Sequence, residues 1–221
     1  MIDPDLNQTE LPARRGFFGR LAGAMAVGLA GLASSPARAE PGTVAADGPH
    51  WPGPLKARHR QLVDGYQVNG GSALLYMATF LMTNPAPGAA KAVLVLRAGA
   101  MPIALNHAMW EKYKIGESLK IVDPETKAPA VKNPFLQPKH GVLQVDQMAI
   151  DWLIANGTVV GACNMALHGI SARLAGNAGV SADDAAKEWA ANVVPGVTVI
   201  PSGTWGVNRA QEAGCTYCTG G

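Results

Sequence analysis

Three cysteines are the residues of this chain whose type and placement could do covalent chemistry: Cys163, Cys215 and Cys218. Cys163 closes the apolar run Thr158-Val159-Val160-Gly161-Ala162 and is followed by Asn164, where a helical pattern begins. A thiol at such a junction faces unsatisfied helical N–H groups and the positive end of the helix dipole. Both favour an anion, and hence the nucleophilic thiolate. The competing reading is a small buried hydrophobe, because free cysteine is among the most buried residue types. The second pair sits in Cys215-Thr216-Tyr217-Cys218. A Cys-x-x-Cys spacing serves a strained redox disulfide or supplies two metal ligands. Thr219 follows it rather than His, which excludes a covalent c-type haem. It also follows a helical pattern, whereas a thioredoxin-like motif opens a helix after a strand. Bridges from Cys163 to either tail cysteine stay open.

The histidines are His50, His59, His107, His140 and His168, and no two are spaced i, i+3 or i+4. A helix-borne metal motif is therefore absent. Three thiolates with His168 is the metal set that the spacing allows, although each histidine taken alone reads as a surface or packing residue. Gly70-Gly71-Ser72 lacks both Walker and dinucleotide spacing and reads as a helix cap. No Gly-x-Ser-x-Gly elbow or paired acid constellation occurs, and no cofactor is named by the sequence.

The elements that must position these residues are strands alternating with helices. Ala92-Val93-Leu94-Val95-Leu96 is a continuous apolar run, as for a strand covered on both faces. Thr158 to Cys163 is a second buried strand, and Val197-Thr198-Val199-Ile200 a third strand. Ser72 caps a helix whose stripe is Leu74, Met77, Ala78 and Leu81, and which stops before Pro85. Pro102 suits the first turn of a helix running through Asn106 and Trp110. Further helices are predicted from Gln147 to Ala155, from Asn164 to Leu174, from a capping box at Ser181 to about Asn192, and from Ser202 towards Gly214. This alternation implies an α/β domain with a parallel sheet and helices on both faces. Ligands of such sheets bind outside the carboxyl ends of the strands. Arg97, Cys163 and Ser202 fall there. Between Tyr113 and Asp146 lies a Pro-rich segment of the kind that forms lids, partner contacts or extended surface. Val142 to Val145 is a candidate edge strand in it. Its lysines Lys114, Lys120, Lys127, Lys132 and Lys139 could attract an anion, but read first as a solvated face balanced by Glu117, Asp123 and Glu125.

The first residues bound where the domain works. Arg14-Arg15-Gly16-Phe17-Phe18 precedes a short, Gly- and Ala-rich apolar core and the small-x-small site Ala37-Arg38-Ala39. A charged region, a short core and such a site make an export signal, and the paired arginines are what the twin-arginine translocase reads. The core is too short for a bilayer, which needs about 20 apolar residues. Residues 1–39 are thus expected to be a signal peptide and 40–61 a flexible arm, with the α/β domain over 62–221. The destination is a bacterial periplasm, which is oxidising. Cleavage would leave 182 of the 221 residues, with 14 basic and 13 acidic side chains. No basic stripe remains for nucleic acid, and no second long apolar run would keep the processed chain in a membrane.

Four pieces in order carry a family resemblance: Val160-Gly161-Ala162-Cys163-Asn164, Val194-Pro195-Gly196-Val197, Ile200-Pro201-Ser202-Gly203 and Arg209-Ala210-Gln211-Glu212-Ala213-Gly214. They resemble the C-terminal half of DsrE/DsrF-like proteins, over roughly Leu62 to Gly214. The resemblance implies a three-layer α/β sandwich with a mainly parallel sheet, assembled as homo-oligomers. It also implies a persulfide on a cysteine at the end of a central strand, passed to a partner protein. Cys163 matches that cysteine; Arg97 and Asn164 are suggested as its neighbours. The chain departs from the family in its leader, its extended 113–146 segment and its terminal Cys-x-x-Cys.

The leading expectation is therefore an exported sulfur-relay or redox protein. Cys163 is its working thiol, Cys215 and Cys218 resolve or receive sulfur, and Arg97, Asn164 and Ser202 lie nearby. A periplasmic sulfur or redox protein would be the partner. The alternatives are a non-catalytic periplasmic binding or assembly module, or a metal-binding domain.

Overall fold

The computed structural model describes residues 50–221. The expected leader and the first part of the expected arm lie outside the described residues. Five strands form one sheet: β1 (His59–Gly65), β2 (Ala90–Leu96), β3 (Val159–Cys163), β4 (Val197–Ile200) and β5 (Thr216–Thr219). Their spatial order is β4-β3-β2-β1-β5, and every pairing is parallel. The helices are α1 (Ser72–Met82), α2 (His107–Lys112), α3 (Ile115–Leu119), α4 (Ile150–Ala155), α5 (Asn164–Ala178), α6 (Ala182–Ala191) and α7 (Gly203–Glu212).

The handedness of the crossovers decides which helix covers which face. From β1 to β4 the chain steps one way across the sheet, so right-handed connections put all their helices on one side. The return from β4 to β5 runs the other way and must cross the opposite side. The packing follows that rule. Val63, Leu94, Leu96, Val160 and Ala162 share one core with residues of α1 through α6. Their strand neighbours Leu62, Val93 and Val95 share a smaller core with Ala210 of α7 and with Leu55. The result is the three-layer α/β sandwich with a parallel sheet that the strand–helix alternation predicts.

Several boundaries differ from the expectation, each for a physical reason. The arm does not extend to residue 61. β1 begins at His59, and Trp51 and Leu55 pack on the α7 face of the sheet. Pro102 lies inside a 3-10 segment, Ala98–Ala104, and Asn106 caps α2 instead of lying within a helix; its Oδ1 accepts from Met109 N–H at 3.2 Å. Residues 142–145 form no strand. The 113–146 segment is pinned to the core by buried Ile121, Ala130, Phe135 and Leu143. Asn133 holds it from beneath, donating from Nδ2 to the carbonyls of Ile103 at 2.9 Å and Leu105 at 2.7 Å. Among the described residues no helix is long and apolar enough to cross a membrane.

Candidate functional site

β3 and β4 are neighbours whose outgoing helices leave to opposite faces, α5 to one and α7 to the other. The carboxyl ends of strands at such a switch are where open α/β sheets place their ligands. Cys163 and Ser202 stand at this point. Cys163, paired in register with Ile200, is the last residue of β3 and the N-cap of α5. Its Sγ accepts from Ala166 N–H at 3.3 Å, the position that a serine or threonine oxygen takes in an ordinary cap. The residue is 6% exposed. Asn164 opens the helix half-buried, and Met165 beside it is 71% exposed. Ser202 caps α7 in the same way, its Oγ accepting from Trp205 N–H at 3.1 Å.

Arg97 follows β2, as expected, but its charge is already engaged. Its Nε donates to Asp64 Oδ1 at 2.7 Å and its Nη2 to Asp64 Oδ2 at 2.8 Å. Tyr217 adds a hydroxyl to Asp64 Oδ2 at 3.0 Å, and the Tyr66 ring lies 4.6 Å from the guanidinium carbon. The bond to Asp64 raises the Arg97 pKa above its ordinary value against the opposing cost of burial. Burial, then the bond to Asp64, raises that of Tyr217. Gly203 explains how the arginine stem crosses the start of α7: a Cβ there would lie 2.4 Å from Arg97 Cβ and Cδ. Asp64 is the member that sequence reading missed. It is 3% exposed, and its partner lies 33 residues away. The only local signal was a carboxylate directly after Leu62-Val63.

The tail cysteines do not join this site. Side chains alternate along a strand, so residues three apart face opposite ways. Cys215, just before β5, packs into the α7-side core, while Cys218 packs against the other. A bridge between them, or a shared metal, is geometrically barred. The register puts Cys215 about six residues below the level of Cys163 and three strands away, a separation of more than about 20 Å. A disulfide needs Cα atoms within about 7 Å. All three thiols are free. Burial pushes the Cys215 thiol up, with Arg60 opposing it. This removes the resolving and sulfur-receiving roles expected of Cys215 and Cys218 within one chain. It also removes the four-ligand metal set, and among the described residues no three His, Cys, Asp or Glu side chains converge.

A second feature lies beside Cys163. A cleft of about 870 Å³ opens between the loop after β1, the loop after β2, the segment after α3 and one face of α5. Ala166, whose N–H holds the Cys163 sulfur, contributes to its wall. Its walls come from stretches between Gln67 and Arg173 that share no sequence pattern.

No protein-family profile and no curated protein matches the chain. Among solved structures it is similar to a protein of unknown function from Methanobacterium thermoautotrophicum, at 13% identity and a TM-score of 0.41, over 73% of this chain and 98% of that one.

Proposed function

We propose that the protein is an exported, DsrE/DsrF-like thiol protein that carries sulfur on Cys163. The observation that supports this reading is the Cys163 sulfur serving as the cap acceptor of α5 at the β3–β4 switch. A sulfur held there is oriented by a backbone N–H and lies at the end of a helix dipole, an arrangement suited to a leaving or attacking thiolate. In the forward step the Cys163 thiolate attacks the outer sulfur of a donor persulfide, R–S–SH. The donor S–S bond breaks, R–S⁻ leaves, and Cys163 carries –S–SH. In the return step an acceptor thiolate attacks that outer sulfur and Cys163 leaves as thiolate. No net oxidation occurs. Since Cys215 and Cys218 are remote, the acceptor is a thiol of another protein or of a second copy in a homo-oligomer.

Alkylation of the native protein by iodoacetamide at neutral pH, followed by peptide mapping, tests the reading. Cys163 takes the label, Cys163→Ser loses it, and Cys215 reacts only after denaturation. Incubation with a small persulfide adds the mass of one sulfur atom to wild type and none to Cys163→Ser. An inert Cys163 in native protein would falsify the proposal. The small exposed area of Cys163 favours one competitor, a non-catalytic periplasmic binding or assembly module. That competitor stands if all three cysteines become serine without loss of partner capture.

Export is part of the proposal and has its own test. Arg14→Lys together with Arg15→Lys is expected to leave nearly all of the protein unprocessed in the cytoplasmic fraction, whereas wild type is recovered from the periplasm. Periplasmic recovery of the double variant would remove the twin-arginine route.

A further inference from the structure

We infer that the cleft between the β1 loop and α5 binds a small organic carboxylate with an apolar tail. Its volume, about 870 Å³, falls in the range of small-molecule sites. About half of its wall is apolar, contributed by Leu119, Ile121, Phe135 and Ile170 among others. Its charges have one sign: Lys120 and Arg173 line it, and no aspartate or glutamate does. Neither cation takes part in an ion pair among the described residues. Two unneutralised cations on a concave wall focus a positive potential into it. Arginine in particular meets a carboxylate with paired N–H donors.

The room is built in. α5 turns Ala166 and Gly169 towards the cleft, and a Cβ on Gly169 would meet no atom within 4 Å. The opposite wall is fixed rather than loose. Gly71 has φ of 87° in the left-handed region, and a Cβ there would lie 2.6 Å from Phe135 and 2.7 Å from Met148. A cleft already formed spends little binding energy on ordering. The tail lies against Phe135, Ile121 and Ile170, with the carboxylate at Lys120 and Arg173. The inference does not rest on sulfur transfer, because Cys163 touches the cleft only through the backbone of Ala166.

Calorimetric titration of the mature protein with butanoate, hexanoate, octanoate and neutral octanamide tests it. Saturable binding is expected for the carboxylates, tightening by at least about tenfold from butanoate to octanoate as methylenes are buried. Octanamide is expected to bind at least tenfold more weakly than octanoate. Lys120→Gln and Arg173→Gln should each weaken octanoate several-fold. Gly169→Leu fills the cleft and should abolish binding while Tm stays level or rises, since it adds a good helix former where nothing clashes. Cys163→Ser should bind octanoate like wild type, so that loss of labelling and loss of binding stay separate results. Absence of saturable octanoate binding, equal binding of octanamide, or an unchanged affinity in both charge variants would overturn the inference.

Discussion

Asp64→Leu is expected to lower stability by about 3 kcal/mol, because it strands one half of a largely buried ion pair. In a domain of this size that corresponds to a fall in Tm of about 6–12 °C. The reasoning starts from burial. Asp64 is 3% exposed and accepts three hydrogen bonds, two from Arg97 and one from Tyr217. Without the carboxylate, Arg97 loses its fork–fork partner, and the close approach at Gly203 leaves its stem little freedom to swing out. Arg97 retains 27% exposure, so water replaces part of the loss. For that reason the estimate sits at the lower end of what breaking a buried pair costs. Asp64→Asn keeps the shape and one acceptor and should lose roughly half as much. The double change Asp64→Leu with Arg97→Met removes both charges together and should recover most of the stability. Urea unfolding of the four proteins measures each term. Equal stability of Asp64→Leu and wild type would show that the pair is an ornament of the surface.

The same pair shows where sequence reading reached its limit. Strands β2 and β3 were legible as apolar runs and β4 as the β-branched stretch Val197-Thr198-Val199-Ile200 between turn residues, and Cys163 was legible as the residue ending one of them. β1 was not. Its buried half reads Leu62-Val63-Asp64-Gly65, and hydropathy assigns a carboxylate to the surface unless its partner is known. The partner is supplied by β2 through parallel pairing, a contact that no local window contains. β5 failed for a related reason, being an edge strand of Thr216-Tyr217-Cys218-Thr219 with a single partner, β1. That failure carried into the chemistry. Cys-x-x-Cys suggests a bridge only where the backbone turns; in an extended strand the same spacing sends the two sulfurs to opposite faces. The 113–146 segment had no periodicity because it is held by scattered anchors. Asn133 reaching two carbonyls and Phe135 against Gly71 are examples.

Gly116 tests that last point most sharply, because the sign of its effect separates the two readings of the segment. A methyl group at Gly116 would lie 2.1 Å from the carbonyl oxygen of Ala130 and 2.6 Å from its nitrogen. Both are backbone atoms and cannot rotate aside. The pairing around them is continuous: Ile121 N–H donates to Gly116 O at 2.8 Å, and Ala130 N–H to Ile121 O at 2.9 Å. Gly116→Ala must therefore push the 121–130 turn away from α3, carrying buried Ile121 and Ala130 with it. Overpacking of this kind costs about 1–3 kcal/mol and sometimes more, and contact with backbone places it near the upper end. Were the segment a detached lid, the same change would stabilise α3 by about 0.5–1 kcal/mol, since glycine inside a helix costs that much relative to alanine. Gly169→Ala in α5 is the matched control. Its added Cβ meets nothing, so it should stabilise by about that smaller amount. Tm measurement on the two variants, with limited proteolysis of the 113–146 segment, reads both signs. A fall for Gly116→Ala with faster cleavage, beside a rise for Gly169→Ala, is the expected pair; a rise for both would return the segment to the status of a loose cover.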